Sequence, residues 1–540
     1  MKKQAFNPFL PLDEYIPDGE PHIFGDRVYF YGSHDREGGY TFCMEDYVVY
    51  SAPVTDLSDW CCEGISYRAA QDPDHSEYKY LYAPDVVRGN DGRYYLYYCS
   101  SGIYGYGGYT RPISVAVSDG PAGPFAYLGH VKYPDGTLMK KYVCFDPAVM
   151  NDAGTIRLFY GTQYPYEERS DFNADPQYLA AETEMFGKTG EEILEYRRHP
   201  ESCPSGNPAD PDSVNGPVMA VLEDDMLTIK EEPHHIIPYK VQGTGFEAHP
   251  FFEGSSMRKI GDTYYFIYSS WQNHELCYAT SRFPDRDFVF RGTIVSNGDI
   301  GYKGRTELEK TNMTGTTHGS ILEINGQWYV FYHRLTHKSD YSRQSCAEKI
   351  QILPDGSIPQ VEVTSCGLNH GPLEAARGMC YPAIIACNLT NGHMPHGSNS
   401  IYQTEFPNVT NCGKDRFIAE IEDGTLIGYK YFRFDAVDSV TVTARMETSE
   451  NKVVYTGPVR IDERCIPEQN DAPQNGTQEH KEPVLEVRLE EKGPAVCQIK
   501  LGRAAVWTEY TAAVQIPQGV HALYFVYHGT EKIQLREISF

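Results

Sequence analysis

The chain has 540 residues, which is too long for one ordinary domain and long enough for two or three. Hydrophobic residues make up 41%, enough for packed cores, and the 42 Tyr and 48 Gly favour strands joined by tight turns. The formal net charge of −27 would repel nucleic acids and anionic membranes. Neither is therefore expected as a partner, whereas neutral ligands carry no such penalty.

The targeting and redox signals predict a cytoplasmic protein. Lys2 and Lys3 are followed by no apolar segment, so no signal peptide is predicted, and no apolar run approaches the length of a membrane span. The 14 cysteines have no regular spacing and form no Cys-x-x-Cys pair. This pattern indicates reduced thiols and argues against zinc.

A short strand pattern rich in aromatic residues recurs five times in the first 340 residues, each time after a Gly, Asn or Asp turn. The five copies are residues 28–31, 94–97, 156–159, 264–267 and 328–331. An acid or histidine stands upstream of each copy: Asp18, Asp85, Asp146, Glu253 and His318. Three copies follow the preceding one by 62 to 66 residues, and a gap of 108 residues before the fourth indicates an insertion. Such a repeat predicts a five-bladed β-propeller.

The innermost strands of a propeller line its central axis, and the aromatic strands are assigned to that position. Residues that open the innermost strands converge at one end of the axis. Four carboxylates and one imidazole are therefore expected to meet in one funnel. His34 and Asp35, which follow the first aromatic strand, are expected to be structural.

The remaining patterns divide the chain into three parts. Residues 1–365 form the predicted propeller, with an insertion over 165–211 that contains a predicted helix near 178–185. Residues 366–399 are rich in Gly, Pro and His, which predicts a surface linker. Residues 400–540 contain a new series of short strand patterns, which predicts a β-sandwich.

A funnel of carboxylates on rigid strands suits the cleavage of a glycosidic bond. One group must protonate the leaving oxygen, and an inverting enzyme needs a second carboxylate, about 6.5–9.5 Å away, that activates water. The acid must keep its proton near neutral pH, and burial or a nearby like charge raises its pKa accordingly.

Six short motifs follow one another along the chain, and five of them stand in phase with the predicted blades. In chain order they are Pro17-Asp18-Gly19-Glu20-Pro21, Tyr82-Ala83-Pro84-Asp85, Phe145-Asp146-Pro147, Phe252-Glu253-Gly254, Thr317-His318-Gly319-Ser320 and Ser342-Arg343-Gln344. Together they resemble the motifs of glycoside hydrolase family 43, the five-bladed propeller enzymes that act on arabinofuranosides and xylosides. The resemblance covers about the first 350 residues. Each motif is weak alone, but their order and phase are specific.

The resemblance implies a role for each site residue. Asp18 would be the general base, Glu253 the general acid, and Asp146 the residue that tunes the acid and orients the substrate. Substrate binding would fall to Tyr82, Asp85, His318 and Arg343. The implied activity is inverting release of arabinofuranosyl or xylosyl residues from oligosaccharides derived from plant polysaccharides. The chemistry would need no cofactor, although His318 is the candidate ligand of one structural calcium ion near the axis.

Several alternatives stay open. Glu20 could act in place of Asp18, and Glu247 in place of Glu253, although only Glu253 keeps phase with the other repeats. His318 could be a hydrogen-bonded core histidine. Two departures from the family pattern, Gly19-Glu20 before Pro21 and Tyr82 in place of tryptophan, put subsite details in question more than the reaction class.

Alternatives also remain for the function of the chain and for the role of its second domain. A non-catalytic propeller that binds glycans, or a glycosidase for another sugar such as galactose, are the alternatives. The Asn-Asp-Pro-Asn-Gly motif of retaining, sucrose-cleaving propellers is not found. The carboxy-terminal domain weakly resembles a family 6 carbohydrate-binding module around 421–424, 427–432, Trp507 and 519–524. A purely structural domain that braces the propeller is the alternative, and no oligomeric state is predicted.

Overall fold

The structure is a computed structural model that describes residues 4–39, 41–73, 80–100, 111–162, 189–198, 216–238, 241–397, 405–453 and 481–540. Nearly all of its elements are β-strands. Five small sheets follow one another along the chain, and two larger sheets form the carboxy-terminal part. In the described part of the chain, no helix has the length and apolar character needed to cross a membrane.

Each small sheet is an antiparallel meander whose strands pair in chain order. The first contains β1 (Glu20–Phe24), β2 (Arg27–Tyr31), β3 (Tyr47–Pro53) and β4 (Cys61–Tyr67). The second contains β5 (Leu81–Arg88), β6 (Tyr94–Ser100), β7 (Ser114–Ser118) and β8 (Ala126–His130). The third contains β9 (Ala148–Asp152), β10 (Thr155–Tyr160), β11 (Val218–Leu222) and β12 (Ile229–His235).

The fourth and fifth sheets continue this order. The fourth contains β13 (Phe251–Ile260), β14 (Thr263–Ser270), β15 (Glu275–Ser281) and β16 (Val289–Ser296), and the fifth contains β17 (Ser320–Ile324), β18 (Gln327–Leu335) and β19 (Arg343–Ile350). Short 3₁₀ turns lie at Ala69–Gln71, Asn297–Asp299, Tyr302–Gly304, Glu307–Glu309 and Ala383–Ile385. Helix α1 (Gly190–Arg198) lies in the insertion between β10 and β11, whereas the helix predicted near 178–185 falls outside the described residues.

The five small sheets form a closed ring. The first strand of each sheet contacts the first strand of the next, and β17 contacts β1. Amino-terminal residues also lie along the last strand, where the backbone N–H of Phe9 donates to the carbonyl of Ser345 (3.1 Å). The ring is a five-bladed propeller whose first strands line the axis, which confirms the predicted fold.

The aromatic repeats were assigned to the wrong strand. They form β2, β6, β10, β14 and β18, which are the second strands of the blades. The Gly, Asn or Asp turn before each repeat joins it to the true innermost strand. The second strand is strongly apolar because it packs against both neighbouring blades. In β14, Phe266 and Tyr268 pack toward the third blade, while Tyr265 and Ile267 pack toward the fifth.

The carboxy-terminal part contains two six-stranded sheets. One has the order β20 (Leu373–Ala375), β25 (Leu426–Phe434), β30 (Gly519–His528), β27 (Val484–Arg488), β28 (Ala495–Lys500), with β22 (Asn388–Thr390) beside β25. The other has the order β23 (Asn408–Cys412), β24 (Asp415–Ile421), β31 (Ile533–Ser539), β26 (Ser439–Met446), β29 (Thr508–Ala513), with β21 (Cys380–Pro382) beside β31. Apolar residues of both sheets share one core, as the predicted β-sandwich requires.

The predicted linker over 366–399 is wrong for most of its length. Strands β20, β21 and β22 belong to the sandwich sheets, and Leu373, Tyr381 and Ile384 are buried in the sandwich core. The sandwich therefore begins near residue 373. The sequence pattern missed this because a strand of three residues is too short to show alternation between apolar and polar positions.

Candidate active site

The predicted site residues lie at or just before the innermost strands. Asp18, Asp146 and His318 each stand two residues before such a strand, while Asp85 and Glu253 lie within β5 and β13. Asp18 and Asp146 both have positive φ, 60° and 45°. This backbone conformation is uncommon for residues with a side chain and is concentrated at functional sites.

Asp18 is a buried carboxylate surrounded by hydrogen-bond donors. Nη1 of Arg343 donates to both of its oxygens (2.9 and 3.1 Å), and Oγ of Ser33 donates to Oδ2 (2.6 Å). Burial alone would raise the pKa of Asp18, but the charge of Arg343, together with the Ser33 hydrogen bond, lowers it. Asp18 is therefore ionised at neutral pH, as a general base must be.

Arg343 is fixed by its own set of contacts. Its Nε and Nη2 donate to the two oxygens of Asp35 (both 2.9 Å), Nη2 also contacts Sγ of Cys43 (3.3 Å), and the guanidinium lies 4.8 Å from the centre of the Phe42 ring. With the two bonds to Asp18, these contacts engage all five N–H groups. Arg343 thus positions Asp18, and a hydrogen bond to a sugar would have to displace one of these contacts.

Asp35 is a site residue that the sequence analysis assigned to structure alone. The prediction of a structural residue is consistent with its contacts, yet its bidentate pair with Arg343 also orients Asp18. Asp35 and Arg343 are 308 residues apart, so no local motif joins them. The sequence signal that could have linked the two residues is that both lie at the funnel end of the first and fifth blades, Asp35 after β2 and Arg343 at the start of β19.

Glu253 and Asp146 form a pair of carboxyl groups that resists ionisation. Burial and the charge of Asp18 raise the pKa of Glu253 to about 8, against the opposing charge of Arg343, although part of the side chain remains accessible. Burial and the charges of Glu253 and Asp18 hold the pKa of Asp146 well above its usual range. The backbone N–H of Gly254 donates to Oδ2 of Asp146 (3.2 Å), which fixes Asp146 beside the segment that carries Glu253. At neutral pH this part of the site holds a proton that it can donate.

His318 lies between Asp18 and Asp146. Its Nδ1 is 3.8 Å from Oδ1 of Asp18 and 3.7 Å from Oδ2 of Asp146. Burial lowers the pKa of His318, so the imidazole is neutral. The ring packs against Gly254, where a Cβ would lie 3.1 Å from it and where φ is +73°. Nε2 is buried and has no hydrogen-bond partner among the described residues, which leaves a neutral nitrogen that fits a metal ligand.

Asp85 and Glu20 make contacts between the innermost strands. Oδ1 of Asp85 lies 2.6 Å from Nε2 of His22, and Oδ2 accepts the backbone N–H of Val149 (2.7 Å). Oε2 of Glu20 accepts a hydrogen bond from Arg258 (2.6 Å). These contacts join four blades. Burial raises the pKa of Glu20 despite the charge of Arg258, whereas that of Asp18 is lowered, which favours Asp18 as the base. Protein donors occupy both oxygens of Asp85, and its role in substrate binding stays a prediction.

The contacts of Glu247 exclude it as an alternative to Glu253, whereas Tyr82 remains a candidate for substrate binding. Glu247 is exposed and accepts the backbone N–H groups of Gly243 (2.6 Å) and Thr244 (3.0 Å), so it closes a turn and does not rival Glu253. Tyr82 is buried, and its ring lies 5.9 Å from that of Phe145, the residue before Asp146. Its contribution to substrate binding stays a prediction.

Known proteins resemble this chain over all or most of its length. The sequence profile of the glycosyl hydrolases family 43 matches residues 7–188. A xylosidase/arabinosidase from Thermoclostridium stercorarium is 40% identical over 560 residues, which covers 100% of this chain and 99% of that protein. Xylosidase/arabinosidase 43A from Humicola insolens is 30% identical over 366 residues, covering 64% of this chain and 96% of that protein.

Solved structures also resemble it. The GH43_1 enzyme from Xanthomonas citri complexed with xylotriose has a TM-score of 0.49 and 23% sequence identity, covering 66% of this chain and 94% of that one. A β-xylosidase named RS223 has a TM-score of 0.45 and 24% identity, covering 64% of this chain and 96% of that one.

The contact between Asp146 and the Glu253 segment predicts a shift in pH dependence. Glu253 and Asp146 oppose each other's ionisation, since whichever loses its proton first makes it harder for the other to do so. In Asp146→Asn this repulsion is gone, so Glu253 should lose its proton at lower pH. The alkaline limb of the kcat/KM profile for glycoside hydrolysis should therefore move to lower pH, with a reduced rate. An alkaline limb that stays in place while the rate falls would mean that Asp146 only positions the substrate.

Proposed function

The chain belongs to family 43 of the glycosyl hydrolases, and we propose that it releases xylosyl and arabinofuranosyl residues from xylan- and arabinan-derived oligosaccharides with inversion. The protein is a glycosidase, and its substrate is an oligosaccharide. The observation that carries the mechanism is the opposite protonation of two carboxyl groups in one funnel: Asp18 is held ionised, while Glu253 is held protonated near neutral pH. The sugars are supported by the full-length similarity to a xylosidase/arabinosidase.

The bond-breaking step uses these two groups from opposite sides of the sugar. Glu253 gives its proton to the glycosidic oxygen as the bond from that oxygen to the anomeric carbon breaks. Asp18 takes a proton from a water molecule whose oxygen attacks the same carbon. Arg343 and Ser33 hold the Asp18 carboxylate in one orientation, while burial and the charge of Asp18 keep Glu253 protonated. Exchange of both protons with solvent restores the starting state.

We propose that a calcium ion, if bound, is held by His318 near the axis. The support is its buried, neutral Nε2, which has no partner in the described part of the chain. Such an ion would supply positive charge beside the carboxylates of the site. Ligand atoms of Glu20, His22 and Asp85 also lie within 4.8 Å of one another. Both carboxylates of this group are already engaged, Glu20 by Arg258 and Asp85 by His22.

We also propose that the sandwich braces the propeller and that the protein is cytoplasmic. Trp507, the one tryptophan in the sequence after residue 400, donates from Nε1 to Asp415 (2.8 Å), and Arg445 covers its ring at 4.1 Å. Its ring is thus engaged by protein groups, which speaks against a sugar-binding platform. Cys61 and Cys62 are exposed free thiols, which a reducing compartment preserves.

The proposed specificity predicts activity on two nitrophenyl glycosides. We expect hydrolysis of both 4-nitrophenyl β-D-xylopyranoside and 4-nitrophenyl α-L-arabinofuranoside, measured side by side by nitrophenol release. Asp18→Asn should abolish both activities, whereas Glu247→Gln should leave them unchanged because Glu247 only closes an exposed turn. Activity confined to a galactoside, or glycan binding without hydrolysis, would contradict the proposal.

The role of Glu253 as the acid predicts a dependence on the leaving group. Glu253→Gln should lose about 10²–10⁴-fold in kcat/KM on xylobiose, because an alkoxide leaving group needs the proton. The loss should be much smaller on nitrophenyl xyloside, whose leaving group departs as a stable phenolate. Equal losses on the two substrates would remove Glu253 from this role.

The role of Asp18 as the base predicts inversion. Proton NMR of the earliest product should show the anomeric configuration opposite to that of the substrate. In Asp18→Ala, azide should not produce a glycosyl azide of retained configuration. A product that retains the substrate configuration would make Asp18 a nucleophile and overturn the inverting mechanism.

A further inference from the structure

The carboxy-terminal sandwich contacts two propeller loops at the funnel. The blade-5 loop, residues 336–342, joins β18 to β19 and ends directly before Arg343. The blade-1 loop, described over residues 32–39 and 41–46, joins β2 to β3 and carries Asp35, Phe42 and Cys43. The blade-1 loop thus supplies the contacts that orient Arg343 against Asp18, and the blade-5 loop leads directly into Arg343 along the chain.

The strongest contact to the blade-5 loop is a buried ion pair. Nζ of Lys338 lies 2.6 Å from Oε1 of Glu420, and the two side chains are 7% and 6% exposed. Glu420 lies in β24, where an irregularity in the pairing with β31 and a φ of 56° turn the carboxylate out of the strand pattern. Its other oxygen accepts the backbone N–H of Phe406 (3.0 Å), and Nζ of Lys338 lies 5.4 Å from the Phe406 ring. The sandwich therefore presents a preformed acceptor for Lys338.

Two further contacts join the sandwich to these loops. The backbone N–H of Val409 donates to the carbonyl of Thr336 (3.0 Å) at the start of the blade-5 loop. Nη2 of Arg416 lies 3.8 Å from Oε2 of Glu37 in the blade-1 loop. The two loops are thus attached to one rigid sheet, through β23 and β24, as well as to each other through Arg343 and Asp35.

We propose that Glu420 is a positioning residue for the reaction, acting through Lys338 and the blade-5 loop on Arg343 and, through it, on Asp18. The inference rests on the proposed function and assigns to the sandwich a direct effect on turnover. The physical reason is that a buried charge that loses its partner moves or draws in water. The loop that carries Lys338 would then shift, and Arg343 would shift with it. A displacement of Asp18 near 1 Å is enough to slow an enzyme markedly.

The test compares variants of the full-length protein at a temperature where circular dichroism shows all of them folded. Glu420→Gln and Lys338→Met should each lower kcat on nitrophenyl xyloside roughly ten- to hundredfold, with KM changed by less than about twofold. Lys338→Arg, which keeps the charge, should recover much of kcat. The matched control is Arg503→Met, which breaks a sandwich ion pair with Glu531 (3.0 Å) and should leave kcat unchanged.

A second readout does not depend on activity. Hydrogen exchange of peptides spanning 336–343, and alkylation of Cys43 followed by mass spectrometry, should both accelerate in Glu420→Gln and not in Arg503→Met. Cys43 is buried against Arg343, so its reactivity reports loosening at that position. Unchanged kcat, exchange and alkylation in folded Glu420→Gln would overturn the inference. Faster exchange and alkylation in a protein whose wild type hydrolyses neither glycoside would sustain the coupling and overturn the proposed function instead.

Discussion

The contact on which the site depends is the guanidinium of Arg343 between Asp18 and Asp35. A carboxylate as deeply buried as Asp18 would take up a proton without a compensating charge. Arg343 supplies that charge, and Asp35 on its other side fixes the guanidinium in a planar, bidentate geometry. Since Asp18 comes from before the first blade and Arg343 from the last strand of the fifth, this contact also joins the two blades that meet where the ring closes.

The same charge arrangement separates the functions of the carboxyl groups. Arg343 is close enough to Asp18 to keep it ionised, and the resulting negative charge helps to keep Glu253 protonated. The proposed base and acid therefore depend on one another, and His318 lies between Asp18 and Asp146 as a neutral group. The inner strands carry a separate set of polar contacts, among them that of Glu20 with Arg258, which join the blades to one another.

The repeat made the propeller fold and many of the site residues predictable from the sequence. Asp18, Asp146, Glu253 and His318 could be placed together because each stands 10 or 11 residues before an aromatic strand, a local signal that needs no knowledge of the fold. The assignment of those strands to the axis was wrong because a strand buried between two blades is as apolar as one that lines a core. Contacts such as Asp35 with Arg343 and Lys338 with Glu420 could not be predicted, since they join residues 308 and 82 positions apart with no motif between them. Strands β20 to β22 were missed because a strand of three residues is too short to show alternation between apolar and polar positions.

The contact between residues 7–9 and β19 constrains the order in which the propeller can fold. The partners Phe9 and Ser345 lie at opposite ends of the propeller sequence, so the ring closes only after the fifth blade has been synthesised. Until then β1 lacks its neighbour β17, and the apolar face of the first blade has nothing to cover it. Because pairings between distant segments form slowly, the nascent chain carries an exposed apolar edge for much of its synthesis. The propeller can therefore close only when its whole sequence is available, unlike a domain whose contacts are local.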